Sequence, residues 1–567
     1  MTEAVAMQTP PRRAGMGVRR LMSGMVPLIV YAAVVVPLAW QQRERMNPDA
    51  ICYIQRAKYL AAGDFYSSIS DNWSPLISWC ITPLLAMGMD GLYAARAVLC
   101  FWGGALLLSL LLFLRRFTRL SEIWQMLVLV AMALVIAPIC VRVITPDVIL
   151  AACLFGYLSL IVHPRIGQSR GLALSAGVVG GIAYLAKAYA LPFVLVHGPM
   201  SLLLQAYARR PESAAADRRM GVRRTVIACL LVVGGCLMVA VPWAGALTWR
   251  YGHFTFTGVG ARAHALMLSR DVHEKTARYF GAPPGPYLIR SETQELIPYP
   301  YWSPFESNAH FRRQVEVIRD HAVRIGWAIW ELDAFHCTAI AILAAAVLAL
   351  PGRLGRGRWE IAWLVGTGAV YCGGFLPVYF TERYVLPILV PLGMVFCFKM
   401  IWEAGAREDS SELSRRSEAG VKVARWVLSG VVLVSFAMIG INDVNALHRQ
   451  RSTGLYRAVA KEMRQRGLAG PIASPSRGDS SFVAYHAGAK FIGFPEGKDL
   501  DEVERQLKQY KPVLLIWKYQ KGDRQSAAAM EVAERLVERG AWQRMFERGT
   551  LKSGMAEVYV RAGAEAE

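Results

Sequence analysis

Asp49 is the acidic residue whose position best suits it for chemistry. It lies nine residues after Trp40, where the first long apolar run ends, in the segment Met46-Asn47-Pro48-Asp49-Ala50. A carboxylate just beyond a membrane span lies at headgroup depth and could accept a proton from a hydroxyl as a general base. Residues 51–61 can form an amphipathic helix that begins at Pro48, so capping that helix is the structural alternative for Asp49.

Cations at the predicted outer ends of the spans could bind a phosphate. The candidates are Arg56, Lys187, Arg262 and Arg383. Basic residues at span ends more often reach toward the headgroups than take part in catalysis, so each residue alone is weak evidence. Lys187 is more notable because it extends an apolar helix toward the outer face, where positive charge is disfavoured. Arg383 is similar, although Glu382 could neutralise it.

Three further aspartates have structural interpretations as their default. Asp64 follows Gly63 at a predicted helix stop, and Asp71 precedes Asn72 in a predicted turn. One of these two could still hold a metal or help to bind an acceptor. Asp147, in Thr145-Pro146-Asp147, is predicted to cap the following helix, with positioning of the first loop as its functional alternative.

The sequence lacks the motifs of several other functional classes. It contains no Gly-x-x-x-x-Gly-Lys-Ser/Thr phosphate loop, and Gly258-Val259-Gly260 lacks a third glycine and a βαβ context. Nucleotide-driven transport and a soluble nucleotide-sugar site are therefore disfavoured. The histidines show no metal-ligand spacing, so no metal site is predicted, although a divalent cation remains a possible cofactor.

The elements that must position these residues are membrane spans. Of 567 residues, 54% are hydrophobic and only 19% are charged, and the apolar residues form long blocks between short basic connectors. This pattern is typical of a polytopic membrane protein. The net charge of +21 comes largely from arginine clusters in the short loops. We therefore assign it to membrane topology and anionic lipids, and not to nucleic acid.

The apolar blocks predict about eleven transmembrane helices. Basic residues concentrate in alternate loops, which places the N-terminus in the cytoplasm and the C-terminus outside. The predicted spans cover residues 21–40, 92–114, 122–141, 147–162, 171–185, 189–204, 225–249, 335–350, 359–380, 384–402 and 426–441.

Two regions follow from this topology. Residues 1–446 form a transmembrane domain with two long outer loops, a first loop at 41–92 and a second loop at 250–332. In residues 447–567 short apolar runs alternate with helical patterns, which predicts an extracytoplasmic α/β domain. Cys52 and Cys80 both fall in the first loop and could pair in an oxidising compartment, but the sequence alone does not decide this.

Several motifs, taken in order along the chain, resemble the bacterial branch of the GT-C membrane glycosyltransferases, which includes protein O-mannosyltransferase and lipid A aminoarabinose transferase relatives. The matching pieces are Asp49 with Tyr53-Ile54 and Ala57-x-x-Leu60-x-x-Gly63-Asp64, Trp73-Ser74-Pro75-Leu76-x-Ser78-Trp79, Thr145-Pro146-Asp147, Gly181-x-Ala183-Tyr184-Leu185-x-Lys187, and Glu382-Arg383-Tyr384. The resemblance implies a GT-C fold and an inverting transfer from a polyprenyl-phosphate sugar, with Asp49 as the catalytic base.

The chain departs from the family pattern at two places. Many relatives carry a second acidic residue after the first, where this chain has Ala50. The aminoarabinose enzymes carry a lysine before the proline of the first loop, where this chain has Trp73-Ser74. The second departure argues against aminoarabinose transfer and moves the expected phosphate contact to Lys187, Arg262 or Arg383.

The resulting hypothesis is a glycosyltransferase that acts at the outer face of the inner membrane on a glycan, lipid or protein acceptor. Residues expected to shape the loop or the acceptor site are Asp64, Asp71, Trp73, Ser74, Asp147, Glu382 and Tyr384. The alternatives are a transporter or flippase of lipid-linked sugars and a non-catalytic envelope assembly protein. If the enzyme hypothesis is right, Asp49, Lys187 and Arg383 should meet at one outer cavity that is open to lipid.

Overall fold

The structure, a computed structural model, describes residues 14–208, 215–268, 280–296, 302–331, 358–402, 415–450, 454–497, 499–518, 527–550 and 554–561. In these ranges an α-helical membrane domain is followed by an α/β domain. The predicted fold class is therefore confirmed. The span predicted at 335–350 and parts of the second loop lie outside the described residues.

The helices of the membrane domain follow one another through short connections and two longer loops. In chain order they are α1 (Ala14–Gln41), α2 (Pro48–Ala61), α3 (Phe65–Ser68), α4 (Leu76–Ala86), α5 (Gly91–Phe117), α6 (Glu122–Arg142), α7 (Asp147–Ile161), α8 (Arg170–Ala186), α9 (Ala190–Ala208), α10 (Ala215–Tyr251), α11 (Val259–Leu268), α12 (Asn308–Glu331), α13 (Arg358–Gly373), α14 (Glu382–Trp402) and α15 (Arg415–Arg449). A 3₁₀ helix covers Arg290–Leu296 in the second loop.

Seven of the described helices, α1, α5, α6, α9, α10, α14 and α15, are long and apolar enough to cross a membrane. The protein is therefore a multi-pass membrane protein. The predicted spans at 147–162 and 171–185 are the shorter apolar helices α7 and α8, with 15 and 17 residues. The predicted span at 359–380 ends earlier, at Gly373, because a second glycine and then Pro377 follow.

Close contact between α8 and α10 depends on glycines. A methyl group on Gly181 of α8 would lie 2.8 Å from the Cys236 carbonyl oxygen of α10, and one on Gly235 of α10 would lie 2.6 Å from the Leu174 carbonyl oxygen. Small residues allow helix backbones to approach closely in membranes, where lipid and protein are equally apolar. The last turn of α8 leads directly into Lys187, so this packing sets the position of that lysine.

The short connections predicted on the outer side meet at one end of the helix bundle. The Ile144 amide, between α6 and α7, donates a hydrogen bond of 2.8 Å to Oδ1 of Asn47 in the first loop. Lys187, after α8, and Arg383, at the start of α14, form ion pairs with Asp147 and Asp49. These contacts place four connections at the same end, as the predicted alternation of the spans requires.

Helix α2 of the first loop is buried along most of its length. Every residue from Ala50 to Ala57 is buried, including Arg56. The helix packs against α4, where the Ser78 hydroxyl donates to the Tyr53 carbonyl at 2.9 Å. It also contacts the 3₁₀ helix of the second loop. Asp49, in the first turn of α2, is therefore held on a rigid element.

The second loop contains an amphipathic helix whose apolar face is exposed. On α12, the side chains of Phe311, Val315, Trp327 and Trp330 are all more than half exposed. Aromatic residues on such a face are typical of helices that lie at headgroup level in a membrane surface.

The C-terminal domain is built on one five-stranded sheet. Its helices are α16 (Leu455–Gln465), α17 (Arg477–Ala487), α18 (Leu500–Lys508) and α19 (Ala527–Glu538), and its strands are β1 (Ile472–Ala473), β2 (Phe491–Gly493), β3 (Val513–Lys518), β4 (Trp542–Thr550) and β5 (Gly554–Arg561). The strand order is β2-β1-β3-β5-β4, with β1 parallel to β2 and β3, and β5 antiparallel to β3 and β4. The membrane helix α15 continues to Arg449, past the predicted boundary at residue 446.

Both loops hold this domain against the bundle. The Gly281 amide donates to the Ile492 carbonyl at 2.9 Å, and the Phe491 amide donates to the Leu288 carbonyl at 2.8 Å, so the second loop runs along β2. Arg457 of α16 pairs with Glu44 of the first loop at 3.0 Å. The C-terminal domain therefore lies at the end of the bundle that carries Asp49.

Candidate active site

Asp49 forms an ion pair with Arg383. Its Oδ2 accepts a hydrogen bond of 2.8 Å from the Arg383 guanidinium, and the two side chains are 25% and 38% exposed. Asp49 is the second residue of α2, so its carboxylate also lies near the positive end of the helix dipole. Both side chains keep enough exposed surface for a substrate to reach them.

A second ion pair lies next to the first. Lys187 Nζ lies 2.6 Å from Oδ1 of Asp147, and their side chains are only 18% and 6% exposed. The same ammonium group lies 3.3 Å from the centre of the Tyr384 ring, and Tyr384 directly follows Arg383. The charges of Asp49 and Arg383 both act on Lys187. Asp49, Arg383, Lys187, Asp147 and Tyr384 thus form one cluster, called the charge cluster below.

Asp147 does not have the capping role that its sequence context predicts. Helix α7 begins at Asp147, but no side chain caps its N-terminus by a hydrogen bond. Its Oδ2 instead accepts a hydrogen bond of 2.7 Å from the Thr145 hydroxyl, and its Oδ1 binds Lys187. The expectation of a helix cap was therefore wrong, because a buried cation two connections away competes for the carboxylate.

Tyr53 belongs to the surroundings of this cluster, although the sequence did not single it out for a role. Burial, and then the negative charges of Asp49 and Asp147, raise the pKa of Tyr53 well above its ordinary value. Its hydroxyl therefore stays protonated and can donate a hydrogen bond. Its ring contacts Trp73 edge to face, with 5.2 Å between centroids. Tyr53 lies one helical turn after Asp49, and that i, i+4 spacing was the available signal.

Arg96 is a second residue that the sequence reasoning missed. It is 4% exposed and donates hydrogen bonds to the carbonyl groups of Val141 and Arg45, the latter at 2.5 Å. These bonds hold the start of the first loop against the end of α6. A lone arginine inside the apolar run of α5 was the signal, since such residues in membrane helices have a specific partner.

Arg56 lies apart from the charge cluster. It is 1% exposed and donates a hydrogen bond of 2.8 Å to the backbone carbonyl of Glu292, in the 3₁₀ helix. Burial raises the pKa of Glu292 to about 7, against an opposing effect of the Arg56 charge. Since α2 turns this arginine inward, the structure does not support its predicted role at a donor phosphate. It links the two loops instead.

Arg262 is also engaged away from the cluster. Its guanidinium binds both carboxylate oxygens of Asp71, at 2.5 and 3.1 Å, and both side chains are less than 10% exposed. Gly258 packs so closely on this pair that a methyl group there would lie 2.6 Å from the Arg262 guanidinium. Asp71 and Arg262 therefore join the first loop to α11, and the predicted phosphate contact of Arg262 is not supported by this placement.

The remaining predicted residues lie in the first loop and at the start of α14. Trp73 is buried and donates from its indole nitrogen to the Ser291 carbonyl at 3.0 Å, while Ser74 is half-buried in the turn before α4. Asp64 caps α3 by accepting from the Ser67 amide at 3.0 Å. Glu382 is exposed at the start of α14, and Arg383 pairs with Asp49.

Cys52 and Cys80 are the two cysteines of the first loop. Cys52 is buried and Cys80 is half-buried, and the structure shows no disulfide bond between these two described residues. Among the residues that the structure describes, no group of three or more His, Cys, Asp or Glu side chains could hold a metal ion.

Comparison with known proteins shows a similarity of structure. No protein-family model matches the sequence, and no curated protein matches it. Among solved structures, ArnT from Cupriavidus metallidurans bound to undecaprenyl phosphate superposes with a TM-score of 0.51 at 14% identity, covering 98% of this chain and 100% of that chain.

The archaeal oligosaccharyltransferase AglB from Archaeoglobus fulgidus, in complex with an inhibitory peptide and a dolichol-phosphate, is similar over a comparable range. It superposes with a TM-score of 0.54 at 9% identity, covering 98% of this chain and 75% of that chain. At such low identity the similarity concerns the fold and not individual residues. The chain is therefore a membrane protein with the GT-C fold, as its sequence predicts.

Proposed function

We propose that the protein is an inverting glycosyltransferase that moves a sugar from a polyprenyl-phosphate donor to an acceptor hydroxyl. The observation that carries this proposal is the charge cluster, in which a partly exposed carboxylate, Asp49, lies beside two cations, Arg383 and Lys187. Solved proteins with this fold bind undecaprenyl phosphate and dolichol-phosphate, which supports a donor of the same chemical class.

The reaction needs a base and a phosphate-binding group within reach of each other. Asp49 takes the proton of the acceptor hydroxyl as its oxygen attacks the anomeric carbon. The bond between that carbon and the phosphate oxygen breaks on the opposite face, which inverts the configuration. The lipid phosphate leaves with an additional negative charge, and Arg383 and Lys187 stabilise that charge.

The two ion pairs suit a site that exchanges partners. Asp49 and Asp147 lie opposite Arg383 and Lys187, so the four formal charges sum to zero. The two cations therefore carry no uncompensated charge before a substrate binds. A phosphate oxygen can replace the Asp49 carboxylate at Arg383, which leaves Asp49 available to the acceptor. Asp147 is more deeply buried and keeps Lys187 in place.

The charge cluster is placed in this proposal on the outer face of the inner membrane, with the N-terminus in the cytoplasm. Support comes from the charge distribution, since the short connections that meet at the cluster carry single basic residues and the opposite connections carry several. The C-terminal domain lies at the same end and is thus extracytoplasmic, where it can bound the acceptor site.

The test is an incubation of membranes or purified protein with a panel of labelled polyprenyl-phosphate sugars and candidate glycan, lipid and protein acceptors. Label should move to one acceptor class, and the product should have the inverted anomeric configuration. Parallel reactions with EDTA decide whether a divalent cation takes part. Movement of the intact lipid-linked sugar across vesicles, with no transfer of label, would instead identify a flippase and overturn the proposal.

A further inference from the structure

The two cations of the charge cluster are carried by different connections. Lys187 follows the last residue of α8, and Arg383 is the second residue of α14. The Lys187 ammonium lies 3.3 Å from the centre of the Tyr384 ring, which joins the two connections through side chains. A phosphate bound by both cations also needs a fixed distance between the two backbones, because a small displacement of a binding group is costly.

The first turn of α14 is weakly held by its own backbone. Pro387 lies four residues after Arg383 inside this helix, and it has no amide hydrogen to donate to the Arg383 carbonyl. Glu382, the first residue of the helix, is exposed. The turn that carries Arg383 therefore depends on contacts with other elements for a fixed position.

Tyr371, in the last turn of α13, makes such a contact. Its hydroxyl donates a hydrogen bond of 2.8 Å to the backbone carbonyl of Tyr384. The Tyr371 side chain is completely buried, so it acts only through the residues that it touches. Its ring packs edge to face on Phe193 of α9, with 5.5 Å between centroids. Tyr371 thus fixes the backbone next to Arg383 and is itself fixed in the bundle.

Tyr189 joins the same end of α13 to the connection that carries Lys187. It lies two residues after Lys187, and its hydroxyl lies 2.6 Å from the Tyr371 carbonyl oxygen and 3.2 Å from that of Val370. Carbonyl groups in the last turn of a helix have no amide partner within the helix, so they can accept from outside. The rings of Tyr189 and Phe375, just after α13, pack with 4.1 Å between centroids.

These contacts form a closed circuit around the two cations. The chain runs from Lys187 to Tyr189, whose hydroxyl donates to the Tyr371 carbonyl. The Tyr371 hydroxyl donates to the Tyr384 carbonyl, and the Tyr384 ring contacts the Lys187 ammonium. We infer that Tyr189 and Tyr371 are positioning residues that set the separation of the two cations for the donor phosphate. This inference rests on the proposed function, which assigns the donor phosphate to those cations.

The separation of the cations matters most as the phosphate leaves. The donor is a phosphodiester with a single negative charge, whereas the free lipid phosphate carries up to about two. Two cations at a fixed spacing therefore stabilise the departing phosphate more than the bound donor. Loss of the circuit should weaken binding of free lipid phosphate and slow transfer, with a smaller effect on the donor.

The first experiment measures equilibrium binding of undecaprenyl phosphate to purified full-length protein in detergent, without acceptor. Tyr371→Phe and Tyr189→Phe keep the rings and remove the hydroxyls, and each should raise the Kd by about tenfold, as expected for loss of one hydrogen bond. The control is Tyr157→Phe, which removes another completely buried hydroxyl, 3.1 Å from Nδ1 of His197, and should bind like wild type. An unchanged Kd in the first two variants, or an equal rise in the control, would overturn the inference.

The second experiment compares kinetic constants with the donor found by the panel. In Tyr371→Phe, kcat should fall by about ten- to a hundredfold, while the donor KM should change by less than about threefold. Inhibition by undecaprenyl phosphate as product should weaken by about tenfold, and this constant does not depend on the amount of active protein. A lower kcat with unchanged product inhibition would show a merely structural role and refute the inference.

A double variant tests whether the two tyrosines act as one unit. Because both belong to one circuit, Tyr189→Phe combined with Tyr371→Phe should raise the Kd about as much as the more affected single variant. A rise of about a hundredfold would show two independent contacts and contradict the circuit.

The binding and transfer assays fail separately. If the wild-type protein transfers no sugar but the Kd values follow the expected pattern, the proposed function fails and the positioning of the cations stands. If the wild-type protein transfers sugar and all variants bind undecaprenyl phosphate equally well, the inference fails and the proposed function stands.

Discussion

Replacing Asp49 by Asn removes the negative charge of the candidate base and keeps the shape of the side chain. A positioned general base accelerates a reaction by about 10²- to 10⁴-fold. We therefore expect the rate of sugar transfer to fall by that factor, which corresponds to an increase of about 3–5 kcal/mol in the activation free energy. Binding of the donor should be affected far less, since Arg383 and Lys187 remain.

The same substitution should leave the fold intact. The ion pair between Asp49 and Arg383 is partly exposed, at 25% and 38%. Exposed ion pairs contribute at most about 1 kcal/mol to stability. Asn can still accept a hydrogen bond from the guanidinium. The unfolding temperature of the variant in detergent should therefore lie close to that of the wild type, so that a loss of transfer can be attributed to chemistry.

The assay is a single-turnover measurement of label transfer from the donor identified by the panel. The matched control is Asp443→Asn, which removes the acid of another partly exposed pair, Arg142–Asp443, with 46% and 33% exposure and 2.5 Å between nitrogen and oxygen. This control should transfer sugar at the wild-type rate. If Asp49→Asn also transfers at the wild-type rate, the assignment of the base is wrong.

Two further predictions concern buried charges. Lys187→Ala leaves Asp147, which is only 6% exposed, without its cation and should destabilise the fold by about 3–5 kcal/mol. The double variant Asp147→Asn with Lys187→Gln should recover most of that stability but should not recover sugar transfer. Thermal unfolding in detergent measures the stability of both variants, and an unchanged unfolding temperature for Lys187→Ala would contradict the burial argument. Burial raises the pKa of the Glu292 carboxyl group from 4.5 to about 7, so the folded state favours the protonated group. The resulting contribution to the free energy of unfolding is complete below pH 4.5 and is lost as the pH rises through 7, by up to about 3 kcal/mol. Glu292→Gln should remove this pH dependence from unfolding curves recorded between pH 5 and 8, and an identical pH dependence in the variant would show that another group is responsible.

Part of the site could be predicted from the sequence because the alternation of spans restricts which connections can meet. Connections on one side of a membrane share one end of the bundle, so Asp49, Lys187 and Arg383 were expected to come together, and the structure places them together. Pro48 was expected to begin a helix, and α2 begins there. Both inferences depend only on chain direction and on local backbone chemistry.

The pairing of charges could not be predicted, because it depends on contacts between distant parts of the chain. Arg262 is 191 residues from Asp71, and no local pattern indicates that these two side chains bind each other. Arg56 was predicted to bind the donor phosphate, but residues 50–57 of α2 are all buried and the helix turns Arg56 toward Glu292. A helical period shows that a residue lies on a given face and does not show what covers that face.

The glycine contacts between α8 and α10 have a consequence far from the helices themselves. A bulkier side chain at Gly181 would push against the Cys236 carbonyl and force α8 away from α10. Lys187 follows directly after α8, and it would shift together with that helix relative to Asp147 and the Tyr384 ring. A substitution at this helix–helix contact would then resemble an active-site lesion in every kinetic measurement, and only restoring the helix spacing would repair it.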